Sequence, residues 1–325
     1  MKPASEQNKT VIIPCCGNSF IEGEPIWLAR HPNGQYLICQ CIADTLVTKP
    51  DRIIITILRQ HNEKYRAMER LKEILAQVDP APDILILDNL TEGPAETVYK
   101  TIQSMDVHGS IVIRDSDVKL SIAAPEYEDF IAGVDVMDPQ NVLPDIRKAS
   151  FLSINENGVI LDVMEKQISS SKICMGMYGF SQSEDFIRAY DELIEPNYEM
   201  HKLYVSNIIT YLIGAKRKIF HYQPVIRYED WGLPHIWRQL SARLGTYFVD
   251  FELINYEYAQ LRQLEGMGAQ IIFYTAAPKA AVIKMQERLE EYGFERAVIL
   301  PQCQNGDMRV INSTDTLKDC LMRAY

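Results

Sequence analysis

The residues of this chain best suited to chemistry are two aspartates one position apart, Asp115 and Asp117, in the run Arg114-Asp-Ser-Asp117. They follow Ile111-Val-Ile113, a β-branched run of the kind that forms an interior strand covered on both faces. In parallel sheets ligands bind beyond the carboxyl ends of the strands. Two carboxylates placed there can share a hard divalent cation that also holds phosphate oxygens. Asp and Ser are ordinary turn residues too, so the pair alone fits a plain turn as well. A weaker signal is Val11-Ile-Ile-Pro14 followed by Cys15-Cys-Gly-Asn-Ser-Phe20. A strand, a turn around Gly17 and Asn18, and then a helix would point backbone N–H groups at an anion. His201, His221 and His235 are scattered, and none reads as a general base. The tyrosines at 198, 204, 211, 247, 256 and 258 have spacings that suit core and interface packing, and Trp231 and Trp237 read as local core around Asp230.

The elements that must position these residues alternate. Strands are expected at Val11–Pro14, Arg52–Leu58, Ile84–Leu87 and Ile111–Arg114, with helices at Gln35–Leu46, Asn62–Val78 and from Thr91 onward. That order gives βα units and a mainly parallel, doubly wound sheet. After Asp117 the pattern becomes mixed. A hairpin is expected at Phe151–Ile154 and Val159–Val163 around Asn155-Glu-Asn-Gly158, then a strand at Cys174–Phe180 and helices at Ser183–Leu193 and Val205–Ile213. Alternation restarts with Tyr247–Asp250, Tyr256–Met267, Ala269–Tyr274, Lys279–Tyr292, Ala297–Leu300, Met308–Ile311 and Thr316–Met322. The expected division is residues 1–243 and 244–325.

Composition bounds the function. An apolar content of 47% is enough for sizeable cores, and a net charge of −11 argues against nucleic acid or an anionic membrane as a general partner. An anionic small substrate is still compatible, held by a local cation. No apolar run approaches the length of a membrane span, and Met1–Thr10 lacks the apolar core of a signal peptide. The seven cysteines are odd in number and lack zinc-site spacing, so they read as reduced, buried thiols of a cytoplasmic protein.

Taken in order, several short motifs resemble the sugar-phosphate nucleotidyltransferases, with a GT-A-like α/β fold whose mixed, mostly parallel sheet has helices on both faces. They are Val11–Phe20, Glu92-Gly-Pro-Ala-Glu-Thr97, Arg114-Asp-Ser-Asp117, Glu165-Lys166, Gly176-Met-Tyr-Gly-Phe180 and Glu229-Asp-Trp-Gly232, together spanning roughly residues 10–240. The resemblance implies transfer of a nucleotidyl group from a nucleoside triphosphate to a sugar phosphate, with Mg²⁺ and release of pyrophosphate, in polysaccharide or cell-envelope precursor synthesis. It implies that Gly17 and Asn18 lie against the nucleotide and that Gly93 and Glu96 lie near its base or sugar edge. Asp115, Asp117 and Asp230 would hold the metal, and Lys166 would meet a phosphate or the sugar. A homodimer is compatible with that fold. The family's phosphate-gripping lysine is replaced here by Ile26, which leaves two other readings open: a nucleotide-sugar glycosyltransferase, and an inactive two-domain protein that binds a nucleotide or a partner.

Residues 246–315 resemble a capless phosphatase domain of the haloacid dehalogenase type. Asp250 stands at the nucleophile position of that family, Glu252 at its acid, Thr275 at its phosphate-binding threonine and Val310–Asp315 at its acidic metal motif. Leu253-Ile254 and Asn312-Ser313 depart from the pattern, which points away from working phosphatase chemistry in this part.

Overall fold

The computed structural model describes residues 8–21, 23–31, 35–138, 146, 149–194, 202–232, 246–266, 269–294, 297–301 and 310–311. The chain forms two compact units, Met1–Ala29 with Tyr36–Pro234, and Arg30–Gln35 with His235–Tyr325.

The first unit grows from β1 (Lys9–Cys15), whose Val11, Ile12 and Ile13 are fully buried. A small hairpin follows, β2 (Phe20–Ile21) and β3 (Glu24–Pro25), then a single 3₁₀ turn at Ile26–Leu28. Helix α1 (Leu37–Thr45) leads to β4 (Arg52–Leu58), which pairs in parallel with β1, Val11 opposite Ile53. Next come α2 (Arg59–Tyr65), α3 (Ala67–Ile74), β5 (Asp83–Leu87), α4 (Pro94–Ser104) and β6 (Ser110–Arg114). Strands β5, β4, β1 and β6 lie side by side, all parallel. Every residue of β6 is buried, as expected for a strand covered on both faces.

The other half of this sheet is mixed. It contains β7 (Val118–Ile122), β8 (Phe130–Asp135), β9 (Ser150–Ile154), β10 (Val159–Glu165), β11 (Lys172–Phe180), α5 (Ser183–Leu193), α6 (Val205–Lys216) and the long β12 (Phe220–Asp230). The strand order is β5-β4-β1-β6-β11-β8-β12-β10-β9, with β7 paired to β12. Strand β11 runs antiparallel to β6, with Met177 opposite Arg114, so β6 is the seam between the two halves. The sheet curls until β9 also meets β11 at Phe151 and Ile173. Helices α4, α5 and α6 close one core with Ile12, Ile113, Phe180, Phe186 and Phe220.

Three expectations change. The turn around Gly17 and Asn18 leads into the hairpin of β2 and β3 and a 3₁₀ turn, not into a helix. The single helix over 62–78 is two helices, broken at Arg66 (φ +51°), because Asn62 Oδ1 accepts the Met68 N–H at 2.9 Å and starts a new helix. Strands β7 and β8 were not anticipated. The hairpin at 151–163 forms as expected, with Asn155 Oδ1 accepting from Asn157 and Val159 at 3.0 Å and Gly158 at φ +74°.

The second unit contains β13 (Thr246–Asp250), α7 (Ile254–Gly266), β14 (Gln270–Thr275), α8 (Val282–Glu291), β15 (Val298–Pro301) and β16 (Val310–Ile311). Its sheet is parallel in the order β15-β14-β13-β16, over a core of Val249, Phe251, Leu261, Phe273, Leu289 and Phe294. The expected helix at 316–322, Cys303, Cys320 and the 312–315 motif lie outside the described residues.

Candidate functional site

The end of β6 is where the first unit gathers its polar side chains. Arg114 is fully buried and acts as the brace of this corner. Its Nη1 donates to Asp115 O at 2.6 Å, and its Nη2 donates to Val118 O at 2.7 Å and to Asp44 at 3.3 Å. Asp44, on α1, also accepts the Leu120 N–H at 2.9 Å. A buried guanidinium thus folds the backbone from 115 to 120 into a tight reversal from β6 to β7, which turns Asp115 and Asp117 out of the core.

The two aspartates face different neighbours. The Asp115 N–H donates to Gly176 O at 2.8 Å. Its side chain covers Gly176 (φ +78°) so closely that a Cβ there would lie 2.9 Å from Asp115 Cβ and Cγ. Asp117 faces Gly232. A Cβ at that glycine would be 3.0 Å from Asp117 Oδ2 and 3.4 Å from Asp230 Oδ1, so these two carboxylates converge on the glycine. Register explains the meeting. Asp230 pairs with Val118 across β12 and β7, and Trp231 N–H donates to Asp117 O at 2.9 Å. Tyr228 Oη donates to Asp230 at 3.2 Å. Trp231 is buried, as expected, with its indole N–H donating to Glu229 at 2.6 Å. Desolvation, and then the charge of Asp117, push the Asp115 carboxyl up to about 7, and burial raises Asp117 as well.

Two clefts open on either side of this corner. The larger, about 520 Å³, runs over the parallel half and is lined by the turn Cys16–Ser19, Ile26, Trp27, the loop Leu90–Pro94, Asp115, Asp117, Lys202 and Tyr204. The smaller, about 370 Å³, lies over the mixed half and is lined by Ser150, Glu165, Lys166, Gly176, Tyr204, Ser206, Tyr228, Asp230 and the same two aspartates. Gly17, Asn18 and Gly93 therefore line one cleft, and Lys166 and Asp230 the other. Glu96 does not line either. It accepts the Glu92 N–H at 2.6 Å and pairs with Lys100 at 2.6 Å, so it staples the start of α4, and Glu92 is the acid that faces the cleft.

In the smaller cleft Glu165 accepts from the hydroxyls of Ser150 and Ser206, the latter at 2.7 Å. Lys166 follows it with φ +56°, a left-handed conformation rare for lysine, and donates to Tyr204 Oη at 2.8 Å. The reading of Tyr204 as a packing aromatic is corrected here. It lines both clefts, and the ammonium groups of Lys166 and Lys202 lie 4.3 and 5.2 Å from its ring centre. Burial alone would raise this phenol, but the two lysines outweigh it and hold it below the ordinary tyrosine value. No periodic pattern marks Lys202-Leu-Tyr204, so sequence reasoning had no signal for it.

The donor set can be tested against a magnesium ion. Among the described residues no three Asp, Glu, His or Cys side chains are arranged to hold a metal by themselves. The triad expected from the sequence is instead a converging pair, Asp117 and Asp230, with Asp115 turned to Gly176. A pair fits Mg²⁺, which commonly takes one or two carboxylates and completes its octahedron with waters and phosphate oxygens.

In the second unit Asp250 and Thr275 end neighbouring strands, with Asp250 in register with Tyr274. Asp250 accepts the Glu252 N–H at 3.0 Å, Thr275 Oγ1 accepts the Ala277 N–H at 3.1 Å, and Glu252 is exposed against Asn255.

The first unit has the fold of the nucleotidyltransferases that activate sugars. A nucleoside-diphosphate-sugar pyrophosphorylase from Vibrio cholerae RC9 superposes with a TM-score of 0.58 at 19% identity, covering 71% of this chain and 98% of that one. The inositol-1-phosphate CTP transferase of T. maritima gives 0.54 at 11% identity over 72% and 97%. A putative glucose-1-phosphate thymidylyltransferase from Bacillus anthracis gives 0.55 at 13% over 72% and 94%. No family model and no curated protein matches the sequence.

Proposed function

We propose that this chain is a nucleotidyltransferase that joins a nucleoside monophosphate, taken from a triphosphate, to a sugar phosphate or a similar phosphorylated metabolite. The observation that carries the reading is the pair of clefts that adjoin at Asp115 and Asp117, with Asp230 converging on Asp117. In this reading the larger cleft takes the triphosphate and the smaller takes the acceptor. The acceptor phosphate oxygen attacks the α-phosphorus in line, the bond to the β-phosphate oxygen breaks, and pyrophosphate leaves. Such a reaction needs positioning and charge stabilisation more than proton transfer. Mg²⁺ held by Asp117 and Asp230, when bound, would offset the charge on the phosphate oxygens. Gly17 and Asn18 border the base and ribose, Lys166 orients the acceptor phosphate, and Glu165, fixed by two serines, accepts from sugar hydroxyls.

The neighbours support the general reaction: one is a UDP-glucose pyrophosphorylase in complex with UDP-glucose, aligned over 73% of this chain at 14% identity and a TM-score of 0.54. For the second unit, taken as residues 244–325, we propose a phosphatase-like domain of the haloacid dehalogenase type that has lost turnover, with Asp250 and Thr275 kept at the strand ends.

The test is titration calorimetry with CTP, UTP, GTP, ATP and dTTP, with and without Mg²⁺, followed by a pyrophosphate-release screen against sugar 1-phosphates. Mg²⁺-dependent binding of a triphosphate and release of pyrophosphate are the expected results. Binding of nucleoside diphosphate sugars alone would replace this reading with a glycosyltransferase.

A further inference from the structure

The larger cleft has a charge problem. Its described lining carries three carboxylates, Glu92, Asp115 and Asp117, yet a polyphosphate is to be held there. Position 26, on the 3₁₀ turn that walls it, is a buried isoleucine. Among the described residues that line this cleft, the one cation is Lys202.

We propose that Lys202 is the residue that receives the phosphate chain of the nucleotide, an inference that rests on the nucleotidyl-transfer reading above. Three features of its setting support this. Its side chain is exposed, so its ammonium is available to a ligand at little desolvation cost. Its stem lies over the backbone of Gly93, where a Cβ would be 3.2 Å from Lys202 Cγ and 2.6 Å from Leu203 O, so only glycine lets the 202–203 segment lie this close to the loop that enters α4. The segment is also tied down, because Leu203 O accepts the Ala95 N–H at 3.3 Å and Tyr204 caps α6 through Asn207 at 2.8 Å. Lys202 is thus an exposed cation on a fixed stem.

The arrangement also gives the two lysines separate duties. Lys166 serves the smaller cleft and Lys202 the larger, with Tyr204 between them. One phenol ring sets the spacing of two cations, one for each phosphate-bearing substrate. The inference therefore separates substrate affinities: loss of Lys202 should weaken the nucleotide side and spare the acceptor side.

The experiment measures binding of inorganic pyrophosphate and of the five triphosphates, each with Mg²⁺, to the full-length protein and to its Lys202→Ala, Lys202→Arg and Lys166→Ala variants. Losing a charge-assisted contact should weaken pyrophosphate and triphosphate binding about 10–100-fold in Lys202→Ala. Lys202→Arg should recover most of that loss, since it keeps a cation that binds phosphate. Lys166→Ala should leave pyrophosphate affinity within roughly threefold while raising KM for the sugar phosphate. Parent-like pyrophosphate and triphosphate affinity in Lys202→Ala would overturn this proposal and leave nucleotidyl transfer standing. A parent protein that binds neither pyrophosphate nor any triphosphate would overturn both.

Discussion

Replacing Gly176 by alanine tests the geometry of the corner. Two effects act on that substitution, and a second glycine separates them. Gly158 and Gly176 both have left-handed φ, +74° and +78°. Nothing lies within 4 Å of a Cβ at 158, whereas at 176 the new methyl meets Asp115 below 3.0 Å. Gly158→Ala therefore carries only the backbone strain of an L-residue with positive φ, about 1–2 kcal/mol, partly offset by a less disordered unfolded chain. Gly176→Ala carries that strain and must also move the Asp115 side chain. The backbone of Asp115 is pinned to Gly176 O at 2.8 Å, so it cannot slide away, and overpacking of this kind costs about 1–3 kcal/mol more. A unit of this size loses roughly 2–4 °C in Tm per kcal/mol, so the two variants should melt about 2–12 °C apart. Turnover sharpens the contrast. Pyrophosphate release should survive in Gly158→Ala and fall by at least about tenfold in Gly176→Ala, where the turn that carries Asp115 and Asp117 is displaced. Equal melting temperatures and equal rates in the two variants would refute the idea that residue 176 is a seat for Asp115.

Asp44→Asn leaves Arg114 buried without its counter-charge and should cost about 3–5 kcal/mol in a urea titration; a loss below about 1 kcal/mol would show that the brace is not an ion pair. Asp115→Asn should raise Tm more at pH 8 than at pH 5. Its native pKa of about 7 lies above the unfolded value, so the native state holds the extra proton between the two, and the cost of ionisation grows as pH rises to about 7 and is complete above it. Equal Tm shifts at both pH values would refute that origin. The second unit should hydrolyse no p-nitrophenyl phosphate with Mg²⁺, and activity that vanishes in Asp250→Asn would show a working phosphatase.

What the sequence revealed of this fold depends on how each half buries its strands. In the parallel half both faces are covered, so β1, β4 and β6 appear as unbroken runs such as Val11-Ile-Ile13 and Ile53-Ile-Ile55 and are legible at once. Strand β7, Val-Lys-Leu-Ser-Ile, alternates between buried and half-exposed residues directly after an acidic turn, and β8 contains a glycine, so neither stood out from a loop. Strand β12 carries His221, Gln223, Pro224, Arg227 and Glu229 and reads as a polar segment. Its strand character comes from three partners, β8, β10 and β7, that are distant in sequence. The site divides in the same way. Asp115 and Asp117 end a legible strand. Their neighbours Lys202, Tyr204 and Ser206 depend on where the chain crosses α4 and β10, which no local pattern records.

The same division explains why the corner is at β6. A strand that has a parallel neighbour on one side and an antiparallel one on the other is a point where the chain's connections change direction. At its carboxyl end, loops from β1 and from β5–α4 arrive from one side, and residues of β9, β10, β11 and α6 from the other. Under the proposed reaction two substrates approach the two aspartates from opposite sides, with Tyr204 common to both clefts. The proposed group transfer between two phosphates requires such an arrangement, and it would give an Asp-Ser-Asp turn, unremarkable by itself, its role in this chain.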